Sequence, residues 1–135
     1  MNKILDMIDS LWDNVGTLGK FTVDKELKPG KISISYLNKS VGIYKAILNN
    51  KVVYIGRAKE YKNGALRKRL MDYVRDSDSG RDTPSGKKMH ENKDKIFIKV
   101  IVIGEGEECM ETADYLEKLM IHKYNPEWNK LDNSN

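Results

Sequence analysis

The sequence has few cysteines and prolines and no long apolar run. Its 135 residues include one cysteine, three prolines and two phenylalanines. A single cysteine excludes a disulfide framework within the chain and a zinc site built from cysteines. No apolar run approaches the roughly 18–20 residues that a membrane-spanning helix needs. The first residues, MNKILDMIDSLWD, carry acidic groups inside their apolar stretch, unlike a secretory signal. We therefore expect a cytoplasmic protein of one modest domain, with no membrane partner.

Positive charge is concentrated in the middle of the chain. The formal net charge is +4, but residues 57–99 hold 13 Lys/Arg against 7 Asp/Glu, and the remaining residues are slightly acidic. This asymmetry favours a polyanionic partner, nucleic acid first. A solvated charged surface would have the same composition, so charge alone leaves both interpretations open.

Hydrophobic periodicity divides the chain into an extension, one α/β unit and a tail. In residues 1–40 the spacing predicts a helix over 4–15 and a hairpin of short strands around a Lys28-Pro29-Gly30 turn. In residues 41–130 the patterns predict a strand hairpin, a helix, a basic polar insertion, a buried strand and a second helix, at 41–56, 64–75, 76–95, 97–103 and 109–124. Residues 131–135 form a tail. The fold class is α/β, an α+β sandwich with a small sheet and helices packed on it.

The segment VGIYKAILNNKVVYIG, residues 41–56, carries two related tripeptides, Gly42-Ile43-Tyr44 and Tyr54-Ile55-Gly56. Strand residues alternate between faces, so the turn decides whether the tyrosines share a face. A regular two-residue Asn49-Asn50 turn would place them on opposite faces. We predict a three-residue loop or an equivalent bulge, which places both phenols on one face.

Two charged residues lie where the helical patterns predict burial. Arg69 is at the margin of the apolar stripe of helix 64–75, on the same face as Tyr73. Glu117 lies inside the apolar arc of helix 109–124. A buried carboxylate is costly unless it is paired or binds a metal. A salt bridge to Arg69 and a divalent-metal site are both compatible with this pattern.

These motifs occur in an order that resembles the GIY-YIG nuclease family over about residues 41–129. After the two tripeptides come LRKRL at 66–70, Leu116-Glu117-Lys118, and YNPEWN at 124–129. The resemblance implies a central three-stranded antiparallel sheet flanked by helices. It also implies hydrolysis of DNA phosphodiesters with one Mg²⁺, Mn²⁺ or similar divalent ion.

The resemblance also assigns roles to individual residues. Tyr44 or Tyr54 would position or deprotonate the attacking water, Arg69 would bind the scissile phosphate, and Glu117 would be the one protein ligand of the metal. The implied catalytic set is Tyr44, Tyr54, Arg57, Arg69, Tyr73, Glu117 and Asn129, with Tyr73 at a position where several members have histidine. Because the pKa of tyrosine is about 10, a tyrosine base would need help from a cation or a metal-bound water.

The expected function is a stand-alone endonuclease of the restriction type or encoded by a phage or mobile element. The alternatives are a non-catalytic nucleic-acid-binding module of the same fold, or a structure-specific nuclease of repair or recombination. The expected partner is double-stranded DNA, and cutting both strands with one site per chain would favour a homodimer. Candidate DNA contacts are Arg67, Lys68, Arg75, Arg81, Lys87, Lys88, His90 and Asn92.

Overall fold

Residues 2–76 and 82–132 are described by a computed structural model. In this part of the chain a four-stranded antiparallel sheet has the strand order β1-β6-β4-β5, and a separate two-stranded sheet joins β2 to β3. The strands are β1 (Asp13–Thr17), β2 (Phe21–Thr22), β3 (Ile32–Ser33), β4 (Val41–Leu48), β5 (Lys51–Ala58) and β6 (Phe97–Gly104). The helices are α1 (Lys3–Asp9), α2 (Leu66–Val74), α3 (Pro84–Glu91) and α4 (Met110–Tyr124). None of these helices is long and apolar enough to cross a membrane.

The central sheet is covered on both faces, and β4 shows this best. Its residues 41–46 are all buried, although successive side chains point to opposite faces. Tyr44 packs in one cluster with Leu66 and Leu70 of α2, and Ile43 packs in the other with Met120 of α4. Two-sided burial also explains the nearly continuous apolar run predicted as a strand and found in β6.

The predicted three-stranded sheet is wrong by one strand, because the N-terminal extension contributes β1. This strand pairs antiparallel with β6, from Asp13 opposite Val100 to Thr17 opposite Phe97. The helix predicted over 4–15 therefore stops at Asp9. Apolar residues at helical spacing suggested a longer helix, but pairing with the open edge of β6 gives residues 13–17 backbone partners that a helix would not provide.

The hairpin predicted in residues 21–36 is also wrong. Phe21 pairs with Ile32 and Thr22 with Ser33, and the two strands run parallel. The Ile34 N–H then donates to the Thr22 carbonyl at 2.9 Å. Phe21 and Ile34 are both buried in the same core. Burial of these two residues therefore determines how the two strands pair, and the long turn between the strands only connects them.

The β4–β5 hairpin confirms the bulge form of the register prediction. Leu48 pairs with Lys51, and the two turn residues, Asn49 and Asn50, have φ values of 53° and 64°. Further along, Ile47 pairs with Val52 but Ala46 pairs with Tyr54, which leaves one extra residue in β5. This bulge shifts the alternation of β5, so Tyr54 joins Tyr44 on one face.

The glycines of the two tripeptides leave space for close contacts. Gly56 lies directly opposite Tyr44 in the ladder. A Cβ at Gly56 would lie 2.3 Å from the Tyr44 Oη, and a Cβ at Gly42 would lie 2.2 Å from the Ile101 carbonyl oxygen. A side chain at either position would therefore displace the tyrosine ring or the neighbouring strand.

The predictions for the rest of the chain hold in outline. Helices α2 and α4 and strand β6 lie where the patterns placed them, and α4 ends at Tyr124 with Asn125 as its C-cap, whose φ is 47°. The polar insertion predicted at 76–95 contains α3, which begins after Thr83. The Thr83 Oγ1 accepts a hydrogen bond from the Gly86 N–H at 3.0 Å, and Pro84 occupies the first turn.

We predict that Gly56→Ala lowers the free energy of unfolding by about 1–3 kcal/mol, because the added methyl group overpacks the Tyr44 ring. Urea denaturation would measure the change. The control is Lys51→Ala at the exposed start of the same strand, which should change stability by no more than about 0.5 kcal/mol. Equal unfolding midpoints for Gly56→Ala and the parent chain would contradict the close contact.

Candidate active site

A polar cleft of about 190 Å³ lies beside β5, between α2 and α4. Its lining combines two tyrosines, three cations and two carboxylates: Tyr44, Tyr54, Arg57, Lys59, Glu60, Arg69 and Glu117. Five of these seven residues belong to the catalytic set that the sequence suggested. The site thus combines residues of the β4–β5 hairpin with residues of α2 and α4, two helices that are far apart in the sequence.

Three tyrosines form a buried group at one wall of the cleft. The ring centroids of Tyr44 and Tyr54 are 6.2 Å apart. The Tyr44 and Tyr73 hydroxyls share a 2.6 Å hydrogen bond. Burial raises the pKa of all three phenols above the ordinary value, and the nearby Arg69 charge only partly offsets this effect. Each tyrosine is therefore neutral near pH 7, and an arginine alone does not make one of them a strong base.

Glu117 pairs with Arg57. The Arg57 Nη1 donates to the Glu117 Oε1 at 2.5 Å, and the Arg57 Nε lies 2.7 Å from Asp114. The alternative of a Glu117–Arg69 salt bridge is thus wrong, because Arg57 extends from β5 directly toward α4 while Arg69 lies on α2. The Glu117 side chain is only 12% exposed, and Lys59 also pairs with Asp114 at 3.1 Å.

Arg69 is held at the mouth of the cleft by Glu60. Its Nη2 donates to the Glu60 Oε1 at 2.7 Å, and both side chains remain partly exposed. Burial opposes ionisation of Glu60, but backbone hydrogen bonds and the Arg69 charge prevail and lower its pKa. Arg69 therefore has a fixed partner and an exposed guanidinium edge that can contact an anion.

Asn129 acts on the backbone beside Tyr54. Its side-chain oxygen accepts from the Ile55 N–H at 2.9 Å, and its side-chain nitrogen donates to the Ile55 carbonyl at 2.8 Å. Because Ile55 directly follows Tyr54, this double hydrogen bond fixes the strand that carries the tyrosine.

Only one type of metal site is compatible with these side chains. In residues 2–76 and 82–132, no three His, Cys, Asp or Glu side chains are close enough together to hold an ion. A divalent cation in this cleft would therefore have fewer than three of these side chains as ligands, with the largely buried Glu117 as the candidate, and would take most of its oxygen ligands from water and substrate. Mg²⁺ commonly binds in this way because it dehydrates reluctantly.

The predicted DNA contacts lie outside the cleft lining. On α2, Arg67 donates to Asn38 at 3.0 Å and Lys68 pairs with Asp72 at 3.0 Å. The other contacts are near the ends of α2 and along α3: Arg75, Lys87 and Lys88 are exposed, and Asn92 donates to the Lys88 carbonyl at 2.9 Å. Arg81 lies outside the described residues.

His90 connects α3 to the end of α2. Its Nδ1 lies 2.7 Å from the Tyr73 carbonyl oxygen and its Nε2 lies 3.4 Å from Asp76. The His90 side chain is 14% exposed, so it contacts the backbone behind the tyrosine group and does not line the cleft.

Three charged residues of the site were not predicted from the sequence. Lys59 and Glu60 follow the second tripeptide within four residues, but nothing in their spacing distinguishes them from loop charges. Asp114 could have been found, because it precedes Glu117 by three residues and such pairs share a helix face.

Comparisons with known proteins give one consistent result. No protein-family model and no curated protein matches the chain. Among solved structures, the GIY-YIG N-terminal endonuclease domain of UvrC from Thermotoga maritima, bound to magnesium as its catalytic divalent cation, is 26% identical with a TM-score of 0.51. The match covers 71% of this chain and 90% of that one. Two point mutants of the same domain, also bound to the catalytic cation, match at 25% identity, 71% and 89% coverage and a TM-score of 0.51.

Nearly the whole length of that endonuclease domain thus has a counterpart here. The two tripeptides lie on the two strands of one hairpin, and their tyrosines line one cleft. The chain has the fold of a GIY-YIG endonuclease domain, and this similarity supports the GIY-YIG nuclease family.

Proposed function

We propose that the protein is a metal-dependent DNA endonuclease that hydrolyses phosphodiester bonds. The observation that carries this proposal is the convergence of Tyr44, Tyr54, Arg69 and Glu117 on one polar cleft. Phosphodiester hydrolysis requires a positioned water, positive charge near the phosphate and stabilisation of the leaving group. The cleft contains side chains suited to each requirement.

Mg²⁺ or a similar cation fits the donor set of the cleft. Glu117 would hold the ion, and the magnesium-bound UvrC domain supports this assignment. Arg57 donates to the Glu117 Oε1 and so orients the carboxylate that would hold the ion. When bound, the ion supplies positive charge that polarises the phosphate.

The cleft cations would bind the scissile phosphate. Arg69 offers a permanent charge and a planar fork that matches two phosphate oxygens. Arg57 can contact an anion while it stays paired with Asp114, and Lys59 shares that carboxylate. Asp114 and Glu60 would thus orient the cations without neutralising them completely.

For the biological role we propose a stand-alone nuclease of the restriction type or encoded by a phage or mobile element, which acts on double-stranded DNA and pairs as a homodimer to cut both strands. The basic residues of α2 and α3, with Arg75, Lys87 and Lys88 exposed, support duplex binding. The similarity to the UvrC endonuclease domain supports the second candidate, a structure-specific nuclease of repair or recombination. Cleavage of supercoiled plasmid tests the first candidate, because a homodimer that cuts both strands produces linear DNA, whereas cutting of one strand produces only nicked circles.

We predict that Glu117→Gln abolishes Mg²⁺-dependent plasmid cleavage but leaves DNA affinity within about threefold, because glutamine removes the charged ligand for the cation and keeps an oxygen that can accept the Arg57 hydrogen bond. The measurements are a plasmid assay with and without chelator and fluorescence anisotropy of labelled duplex. Glu111→Gln, the same change at an exposed position of α4, is the control and should cleave normally. Full cleavage by Glu117→Gln would contradict the proposed metal site, and tight binding without any cleavage by the parent chain would favour the non-catalytic binding module.

We predict that Arg69→Gln lowers the cleavage rate about 10²–10³-fold, since a charge-stabilising donor is lost from the site. Arg69→Lys should recover only part of the rate, because it restores the charge without the fork. Single-turnover kinetics would measure both variants. Lys51→Gln, which removes an exposed charge at the start of β5, is the control. Equal rates for Arg69→Gln and the control would contradict a role for Arg69 at the phosphate.

A further inference from the structure

A second cleft, with a volume of about 270 Å³, adjoins the active cleft along α2. This flanking cleft is lined by Glu60, Asn63, Lys68, Arg69 and Asp72. Glu60 and Arg69 also line the active cleft, so the two cavities share a wall. The proposed function places the scissile phosphate at Arg69 and gives the rest of the flanking cleft no task.

Lys68 is ordered in the flanking cleft and can still contact an anion. Its Nζ donates to the Asp72 Oδ2 at 3.0 Å, one turn further along α2. The Asp72 side chain is only 16% exposed, whereas the Lys68 side chain is 48% exposed. An ammonium group carries three hydrogens. Lys68 can therefore keep its bond to Asp72 and donate to phosphate oxygens at the same time.

Asn63 supplies a second, neutral donor from the turn that precedes α2. The Glu60 carbonyl accepts hydrogen bonds from the Asn63 N–H at 2.8 Å and from the Ala65 N–H at 3.1 Å. Gly64, between these two donors, has a φ of 101°, a conformation that favours glycine. The backbone thus fixes Asn63 at the cleft, and its exposed side-chain amide is a common type of donor to phosphate oxygens.

The spacing of DNA phosphates requires a second anion site close to the first. Each nucleotide of one strand advances about 3.4 Å along the helix axis and carries one negative charge. A strand whose scissile phosphate lies at Arg69 must therefore bring its next phosphate into an adjoining cavity. The flanking cleft is such a cavity, because Arg69 forms part of its lining.

Charge favours the flanking cleft over a third cleft of about 380 Å³, whose lining includes Lys59, Lys62 and Glu107. That third cleft borders the start of α4, where four carboxylates occur within seven residues: Glu105, Glu107, Glu108 and Glu111. The opposite side of the active cleft has the basic residues of α2 and α3: Arg67, Lys68, Arg75, Lys87 and Lys88. A polyanion is therefore attracted toward α2 and repelled from the start of α4.

We propose that the flanking cleft binds the phosphate next to the scissile phosphate on the cleaved strand, with Lys68 and Asn63 as its donors. This inference rests on the proposed nuclease function and deepens it, because it places a second phosphodiester of the substrate. It also gives the direction in which the strand leaves the active cleft, along α2 and away from α4.

The first experiment measures binding of a labelled duplex by fluorescence anisotropy, with chelator, at about 50–200 mM salt. Each phosphate contact contributes about −0.9 to the slope of the logarithm of the association constant against the logarithm of salt concentration. Lys68→Gln is expected to make this slope shallower by about one contact and to weaken binding about 3–10-fold. Lys68→Arg keeps a cation and should retain the parent slope. The control is Lys51→Gln, which removes an exposed lysine at the start of β5.

Asn63→Ala gives a different signature in the same measurement. A neutral amide releases no counterion from DNA, so its loss should weaken binding about 2–3-fold and leave the salt slope unchanged. The matched control is Asn14→Ala, at an exposed position of β1. Affinity equal to that of the control would overturn the assignment of Asn63.

The second experiment locates the phosphate that Lys68 contacts. Once the cut is mapped, the phosphate on either side of the scissile one is replaced, one at a time, by a neutral methylphosphonate. At one of these two positions the replacement should lower kcat/KM of the parent chain about 3–10-fold and have little further effect in Lys68→Gln. At the other position the effects of the two changes should multiply, because the changes are independent.

The outcomes separate this proposal from the proposed function. Equal salt slopes for Lys68→Gln and Lys51→Gln overturn the flanking site, and so do effects that multiply at both methylphosphonate positions. If the parent chain binds DNA but does not cleave it, the proposed function fails. The salt slopes alone then decide whether Lys68 contacts a phosphate.

Discussion

The site depends on one extra residue in β5. Without the bulge between the pairs Ala46–Tyr54 and Ile47–Val52, the two-residue Asn49-Asn50 turn would set Tyr54 opposite Lys45. Lys45 belongs to the other face of the sheet, where its ammonium group lies 3.2 Å from the Tyr124 hydroxyl. Tyr54 would then be buried beneath α4, far from Tyr44. Gly56 lies opposite Tyr44 and, because it has no side chain, leaves room for the tyrosine ring. The two tripeptides therefore fit together only in the bulged register.

The sequence predicted the parts of the fold that local patterns control. The hairpin register, α2, β6, α4 and the end of α4 before Pro126 all follow from periodicity and from residues with restricted backbone conformations. The sequence did not predict the parts of the fold that depend on contacts between residues far apart in the chain. Residues 13–17 extend because β6 has an open edge, and Phe21 and Ile34 enter one core through parallel strands. The predicted site had the same limit: helical periodicity identified Glu117, but only the assembled sheet brings Arg57 to it.

The charges of the cleft are paired before any ligand arrives. Arg57 and Lys59 share Asp114, Arg57 also contacts Glu117, and Arg69 contacts Glu60. Such pairs hold long side chains in defined rotamers, which reduces the conformational entropy that binding would otherwise remove. A phosphate or a cation would therefore exchange partners within an existing network. The same pairs weaken the positive potential of the cleft, so the exposed basic residues of α2 and α3 dominate long-range attraction of a polyanion.

The two hydrogen bonds between the Asn129 side chain and the Ile55 backbone also affect association between chains. Strand β5 is an edge of the central sheet, and an edge with free N–H and C=O groups is a template on which a foreign strand can add. The Asn129 amide occupies both backbone groups of Ile55 in the middle of this edge. A strand from another molecule would have to displace that amide before it could pair. The residue that fixes the tyrosine strand thus also blocks the middle of this edge against pairing with a strand from another molecule.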